Sequence, residues 1–179
     1  ARSEMCIRDR VGGVQRLIGD EKLGKISGTV RSLSRNRIPQ WTPAMPGGAA
    51  SPSADPINPY AERRVVYFPS CIARSMGAAK GDPVDGSIAE VTIRVLKKAG
   101  YGIIFPHKMK NLCCGTPWES KGFMETADKK CFELEQALLD ATRQGMYPVL
   151  CDTSPCIYRM RKMMGDTLKL YEPVEFVHT

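Results

Sequence analysis

The sequence predicts an α/β fold, with a short parallel sheet, flanking helices and cysteines at the carboxyl-terminal edge of the strands. From residue 64 onward, short runs of β-branched and aromatic residues alternate with longer segments in which apolar residues recur at helical spacing. The order strand, helix, strand, helix, strand is typical of parallel βαβ units, which build a doubly wound layer. Four of the seven cysteines lie between the end of a predicted strand and the helix that follows it.

The predicted strands are short and end at turn-forming residues. A buried strand is indicated by the run Val-Val-Tyr-Phe at residues 65–68, and a second by Ile-Ile-Phe at residues 103–105, which Pro106 ends. Residues 149–150 are predicted as a third strand and residues 168–171 as a fourth. Their β-branched and aromatic side chains favour a pleated, buried surface.

The first predicted helix of this domain follows a loop rich in Gly, Pro and Asp. Ser87 and Glu90 form a capping box at its start, and Gly100 stops it. Its apolar stripe is predicted at Ile88, Val91, Val95, Leu96 and Ala99.

A long helix and a short one are predicted later in the chain. Thr116 and Glu119 are predicted to form a second capping box, and the long helix is predicted to end near Gly145. A short helix is predicted to open at Ser154 and to continue through Met164. The apolar face of the long helix is predicted at Phe123, Ala127, Cys131, Leu134, Leu138 and Ala141.

The chain divides into four regions by composition. Residues 1–10, which include Cys6, resemble translated sequencing-adaptor read-through and are set aside as an artefact. Residues 11–41 are predicted as a basic connector helix, weakened by five glycines. Residues 42–63 are rich in Pro and Gly and are predicted as an extended linker. Residues 64–179 are predicted as the folded, cysteine-rich domain.

The charge distribution argues against a nucleic-acid partner, although the formal net charge of the 179 residues is +7. Residues 1–41 hold nine Lys and Arg against four Asp and Glu, whereas residues 64–179 hold 16 against 13. The basic excess therefore lies mostly outside the cysteine-rich part, and no cluster of basic and aromatic residues is present there. No apolar run approaches the roughly 18 residues of a transmembrane helix.

Five cysteines are predicted to meet at one edge of the sheet. Cys71 follows the first strand, Cys113 and Cys114 follow the second, Cys151 ends the third and Cys156 begins the next helix. In open α/β sheets, the loops at the carboxyl ends of the strands form the binding crevice. We therefore expect these five thiols to lie close together.

The chemistry of five converging thiols favours a metal site. Thiolates bind soft metals and iron–sulfur clusters, and five ligands permit a bridging thiolate or an opened cluster. Gly115 permits the unusual backbone angles that the Cys-Cys turn requires. Zinc is an alternative, but only the pair Cys151 and Cys156 approaches the ligand spacing of closed zinc sites. Cys131 lies on the apolar helix face and is predicted as a core residue. The sequence is equally compatible with Asp152 as a proton donor and with Asp152 as a loop residue without a chemical role.

Several short segments around these cysteines carry a family resemblance. They are Asn-Leu-Cys-Cys-Gly at 111–115, Phe-Pro-Ser-Cys-Ile at 68–72, Cys-Asp-Thr-Ser-Pro-Cys at 151–156 and the stretches 113–123 and 170–176. Together they resemble the CCG cysteine-rich domain of the heterodisulfide reductase type, and most closely the C-terminal part of bacterial FAD-linked D-lactate dehydrogenases. Residues 41–46 are similar to the linker ahead of that domain, so the resemblance covers roughly residues 14–179.

The resemblance implies a function and a ligand set. The implied function is electron transfer within an oxidoreductase that oxidises D-lactate or a related 2-hydroxy acid. The implied cofactors are a [4Fe–4S] cluster, noncubane in heterodisulfide reductase, and FAD in an upstream domain. The implied partners are flavin and ferredoxin-like domains of the same full-length chain and an electron carrier or quinone pathway, and the implied location is cytoplasmic or peripheral at the inner membrane face. The matching cluster ligands are Cys71, Cys113, Cys114, Cys151 and Cys156.

Two departures from the family pattern are visible. The last cysteine pair is usually Cys-x₂-Cys in the reductase, whereas Cys151 and Cys156 are separated by four residues, so either of them can be the spare ligand. One CCG module is present where two are common, and neither a Gly-rich FAD motif nor a Cys-x₂-Cys-x₂-Cys run occurs. We therefore expect a fragment that does not oxidise lactate alone. A heterodisulfide-reductase-like subunit and a zinc-stabilised or metal-free interaction module remain the alternative interpretations.

Overall fold

The computed structural model describes residues 17–38, 40–41, 46–49, 52, 55–78 and 81–178. The predicted artefact, including Cys6, lies outside the described residues, as do residues 11–16 of the connector and 42–45 of the linker. The strands are β1 Arg64–Phe68, β2 Gly102–Ile104, β3 Val149–Cys151 and β4 Leu170–Tyr171. The helices are α1 Asp20–Leu33, α2 Ile88–Lys98, α3 Thr116–Glu119, α4 Met124–Ala141, α5 Ser154–Met164 and α6 Pro173–Val177.

The four strands form one parallel sheet, which confirms the predicted fold class. Their order is β2-β1-β3-β4, so the chain builds first to one side of β1 and then to the other. In the register, Val66 is paired with Ile104 on one side and with Val149 on the other, and Phe68 is paired with Cys151. The strand order reverses between β1 and β3, and such a switch point opens a crevice at the carboxyl ends of the two strands.

Strand β1 supplies both hydrophobic cores because it is buried on both faces. Val66 and Phe68 pack on one side of the sheet, and Val65 and Tyr67 pack on the other, with at most 1% of any of them exposed. A central strand of a parallel sheet is covered by helices on both faces, which explains its unbroken apolar sequence. This two-sided packing holds the end of β1, and the residues that follow it, in a fixed position.

Helices α4 and α5 cover the first face of the sheet. The long helix packs through Ala127, Cys131, Leu134 and Leu138, as predicted, and it ends at Ala141 rather than near Gly145. Phe123, also predicted on that face, is 57% exposed and precedes the helix. Helix α5 has the predicted bounds and packs through Ile157, Met160 and Met164.

Helix α2 covers the other face, with Leu96 buried as predicted but with the rest of its contact face displaced from the predicted stripe. Ala89 and Leu96 are its buried residues, whereas Ile88 is 63% exposed and Val95 is 55% exposed. The contact face lies one position further round the helix, where small Ala89 allows close approach to the sheet and Ile93 packs beside it. The predicted capping box at the start of this helix is confirmed.

The region before the domain contains a helix and a short paired segment. Helix α1 lies within the predicted connector and leaves apolar side chains in solvent, among them Ile26 and Leu33 at 51% and 80% exposed. In the predicted linker, Ile57 forms an antiparallel bridge with Ile103, through backbone bonds of 2.9 and 2.8 Å. This bridge covers the outer edge of β2, which would otherwise present unpaired backbone groups.

Candidate metal centre

The topology brings five cysteines to the carboxyl-terminal edge of the sheet. Cys71 lies in the turn after β1, and Cys151 is the last residue of β3, the neighbouring strand. Cys113 and Cys114 lie in the connection between β2 and α3, and Cys156 lies in the first turn of α5. All five are free thiols.

The five thiols form a continuous chain of contacts. The Sγ atoms of Cys114 and Cys156 are 3.1 Å apart, well beyond a disulfide bond of about 2.05 Å. The Cys113 thiol also interacts with those of Cys114 and Cys71, and the Cys156 thiol interacts with that of Cys151. Residues up to 85 positions apart in sequence therefore share one site, and each thiol has another thiol as a partner.

Charge is distributed unequally over this chain of thiols. Hydrogen bonds to Cys113 and Cys156 lower the pKa of the Cys114 thiol, and the hydrogen bond to Cys113 lowers the pKa of the Cys71 thiol to about 7. The same hydrogen bonds, with burial, raise the pKa of the Cys113 and Cys156 thiols. Neighbouring thiols cannot all ionise in the metal-free protein, because like charges at contact distance repel. A cationic metal group would replace the shared protons.

Gly115 fixes the turn that carries the cysteine pair. Its φ angle is +92°, and a Cβ atom there would lie 2.3 Å from the Ala127 carbonyl oxygen. No real side chain tolerates that approach, so the residue is restricted to glycine by both angle and space. The Gly115 N–H points at the Cys113 sulfur, with a distance of 3.4 Å. The prediction that this position requires glycine is confirmed.

The second predicted capping box, at Thr116 and Glu119, does not form. Gly115 is the N-cap of the one-turn helix α3, and no side chain caps it. The Glu119 carboxylate instead lies 2.6 Å from the guanidinium of Arg159, which is only 2% exposed. A buried cation competes more strongly for a carboxylate than a backbone N–H does. The Thr116 hydroxyl is 3.2 Å from the Cys114 sulfur.

Arg159 fastens the cysteine pair to the helices. Its second ion pair is with Asp128 at 2.6 Å, and its Nε donates to the Cys114 carbonyl oxygen at 3.0 Å. The guanidinium therefore joins α3, α4 and α5 to the backbone of a candidate ligand. Two carboxylates balance its charge, which a buried cation requires.

Asp152 ties together the loops that carry Cys71 and Cys156. Its carboxylate accepts a hydrogen bond from the Tyr67 hydroxyl at 2.7 Å and from the Ser70 backbone N–H at 3.0 Å. The Thr153 hydroxyl lies 3.0 Å from the same carboxylate and donates to the Ser70 hydroxyl at 2.8 Å. Burial, followed by the Asp152 charge, raises the pKa of the Tyr67 hydroxyl, which therefore stays protonated as a donor.

Arg74 bridges the Cys71 turn to the segment before Cys113. Its guanidinium donates to the carbonyl oxygens of Ser70, Met109 and Leu112, the last at 2.7 Å, and it lies over the Phe68 ring at 5.6 Å. Burial lowers the pKa of the Arg74 guanidinium, and the nearby thiols act in the opposite direction. Three carbonyls from two separate loops are thereby held around one cation.

Cys131 differs from the five site cysteines in its environment. It is 1% exposed and packs in the core among the apolar side chains of α4 and α5, as predicted. Burial raises the pKa of its thiol to about 11, which is typical of an inert core cysteine.

The sequence-based interpretation missed the two buried arginines. Arg159 follows Cys156 by three residues, so it lies on the cysteine side of α5, and this spacing is a usable signal. Arg74 follows Cys71 by three residues in a turn, where no periodic pattern predicts burial.

The donor set fits a thiolate-bound metal cluster. Cys114, Cys151 and Cys156 are buried, Cys71 and Cys113 are half-buried, and soft sulfur atoms are the ligands that iron–sulfur clusters use. In the described part of the chain, no three His, Cys, Asp or Glu side chains are arranged to hold a single metal ion. A cluster differs from a single ion in that its ligands bind separate metal atoms, so they need not converge on one point.

Comparison of the chain with protein-family models, with curated proteins and with solved structures finds no match. The resemblance to the CCG domain therefore depends on the cysteine segments themselves. Within the residues that the structure describes, no helix is long and apolar enough to cross a membrane.

Proposed function

We propose that the domain binds an iron–sulfur cluster through its five converging cysteines and transfers electrons. The observation that carries this proposal is the chain of thiol contacts that joins Cys71, Cys113, Cys114, Cys156 and Cys151 at the switch point of the sheet. When bound, a [4Fe–4S] cluster, cubane or noncubane, supplies a site for reversible electron transfer.

The polypeptide contributes a preorganised and partly dry site. Cys114 and Cys151 are at most 1% exposed, so one side of the site is closed to water. The backbone N–H of Gly115 is aimed at a sulfur atom, and such hydrogen bonds stabilise negative charge on sulfur. The Arg159 and Asp152 contacts hold three ligand-bearing loops in register. These residues position the thiols and limit the reorganisation that binding requires.

We further propose that the domain serves an FAD-linked oxidoreductase that oxidises D-lactate or a related 2-hydroxy acid. The support is the resemblance of segments 68–72, 113–123, 151–156 and 170–176 to the C-terminal part of such enzymes. In this proposal, flavin and ferredoxin-like domains of a longer chain pass electrons to the cluster, and an electron carrier or quinone pathway receives them. The location proposed is cytoplasmic or peripheral at the inner membrane face. Residues 1–179 alone are not expected to oxidise lactate.

One observation favours a second candidate, a heterodisulfide-reductase-like subunit. Cys71 and Cys113 are half-buried rather than buried, and Ile72 beside them is 55% exposed. A small disulfide substrate could therefore reach this side of the site. The gene sequence that flanks this chain separates the two: a flavin domain upstream supports the dehydrogenase, and a stand-alone subunit gene supports the reductase.

Metal analysis tests for the iron–sulfur cluster that both candidate functions require. The chain is purified anaerobically, and its iron, acid-labile sulfide and zinc are quantified, with electron paramagnetic resonance before and after reduction. We expect iron and sulfide in near-equal amounts and a paramagnetic signal in one redox state. Near-stoichiometric zinc with no iron would contradict both candidates and support the zinc-stabilised interaction module.

A further inference from the structure

Arg74 is a buried cation without a carboxylate partner among the residues that the structure describes. Only 7% of its surface is exposed, and its hydrogen bonds go to backbone carbonyl oxygens. The other buried arginine, Arg159, is instead paired with Glu119 and Asp128 at 2.6 Å. The two therefore differ in charge balance and not in burial.

An unbalanced buried cation is costly, since it loses hydration without gaining a counter-ion. Carbonyl dipoles recover part of this loss, but they carry no net charge. The charged or ionisable groups that interact with Arg74 are Cys71, Cys113, Cys151 and Asp152. Three of these four are candidate cluster ligands. The Asp152 carboxylate already accepts hydrogen bonds from Tyr67 and Ser70.

We propose that Arg74 is the counter-charge of an anionic centre made by the ligand thiolates and the cluster they hold, and that it sets the reduction potential of that centre. This inference rests on the proposed function. Thiolate-bound clusters are anionic, and their potentials depend on nearby net charge. A fixed positive charge favours the more negative, reduced form, so Arg74 raises the potential.

The experiment compares variants of the full 179-residue chain after anaerobic reconstitution with iron and sulfide. Arg74→Gln and Arg74→Met remove the charge, and Arg74→Lys retains it while losing the forked hydrogen bonds. Arg161→Gln is the matched control, because Arg161 is 44% exposed and is paired with Glu175. The measurements are iron and sulfide per chain, the midpoint potential from a redox titration, and thermal unfolding of the metal-free proteins.

In the neutral Arg74 variants, we expect the redox equilibrium of the cluster to shift about tenfold toward the oxidised state. For a one-electron couple, this shift lowers the midpoint potential by about 59 mV. We also expect them to retain less iron than the wild type. Arg74→Lys is expected to keep a potential close to that of the wild type, as is Arg161→Gln. Metal-free Arg74→Met is expected to lose less thermal stability than metal-free Arg159→Met, whose paired carboxylates lose their partner.

Iron content and midpoint potential separate the possible results. An iron-free wild-type chain contradicts the proposed function and this inference with it. A wild type that binds iron, with neutral variants of unchanged potential, overturns the inference alone. If the neutral variants do not fold, the midpoint potential of Arg74→Lys distinguishes the two roles. A potential close to that of the wild type supports the role of the positive charge. A lowered potential indicates that Arg74 acts by holding the loop carbonyl oxygens instead.

Discussion

Two of the loops that carry the cysteine site are held by buried arginines that differ in their ionic partners. On the Cys114 side, Arg159 is neutralised by two carboxylates at 2.6 Å and fixes the Cys114 carbonyl. On the Cys71 side, Arg74 is surrounded by carbonyl oxygens and thiols, with no ion pair among the described residues. The polypeptide supplies two ion pairs to Arg159, whereas we propose that an anionic cluster supplies the counter-charge of Arg74.

The two sides also differ in burial, so we expect substitutions on them to affect stability differently. The paired side belongs to the core, where Cys114 is 1% exposed and packs with α4 and α5. The unpaired side opens toward solvent, where Ile72 is 55% exposed. Substitutions on the paired side should therefore lower stability whether or not metal is present. Substitutions of Arg74 should act mainly on the occupied site.

The largest stability effect is expected from Gly115→Ala on the paired side. The left-handed angle costs about 1–2 kcal/mol for a residue with a Cβ atom, and the clash with Ala127 adds about 1–3 kcal/mol of overpacking. Gly122→Ala is the matched control, because Gly122 has φ +82° and no atom within 4 Å of a Cβ. Chemical unfolding of both variants measures the difference. Equal losses would show that the space around Gly115 is not restrictive.

A smaller loss is expected from Arg159→Met. The change leaves Glu119 and Asp128 without their cation, but these carboxylates are 29% and 50% exposed and regain water, so we expect about 1–3 kcal/mol. Arg161→Met should cost about 1 kcal/mol or less, because its pair with Glu175 is exposed. Urea unfolding of the metal-free variants makes the comparison. Equal losses in the free energy of unfolding for the two variants would show that the buried ion pairs of Arg159 stabilise the fold no more than the exposed pair of Arg161.

The smallest effect is expected from Tyr67→Phe. The change removes one hydrogen bond to Asp152, worth about 1 kcal/mol, while Ser70 still donates to that carboxylate. Tyr158→Phe is the control, since Tyr158 is 74% exposed and a near-zero change is expected. Thermal unfolding at neutral pH resolves the two. An unchanged thermal stability of Tyr67→Phe would show that the hydrogen bond between Tyr67 and Asp152 does not help to join the Cys71 and Cys156 loops.

The sequence predicted those features that depend on local pattern and strand order. The parallel sheet, the bounds of α5 and the glycine requirement at position 115 follow from apolar periodicity and turn chemistry. The meeting of the cysteines at one sheet edge follows from topology, because parallel strands place their carboxyl ends together. These inferences needed no knowledge of side-chain packing.

Features that depend on competition between partners could not be predicted in the same way. Glu119 has the spacing of a capping residue, yet it pairs with Arg159, which comes 40 positions later. Ile88 and Val95 look like core residues, yet the helix packs through Ala89, because a small residue allows closer approach. Burial of Arg74 arises from carbonyls of a loop 35 positions away. Such outcomes are set by tertiary contacts and not by spacing.

We propose that five thiols, and not the sixth described cysteine, hold an iron–sulfur cluster. The most direct test is iron and acid-labile sulfide per chain in the wild type, Cys114→Ser and Cys131→Ser after anaerobic reconstitution. We predict that Cys114→Ser loses the cluster and that Cys131→Ser retains it, because Cys131 is a core residue of α4. Equal iron loss in both variants, or a wild type that binds zinc without iron, would show that these five thiols do not form an iron–sulfur site.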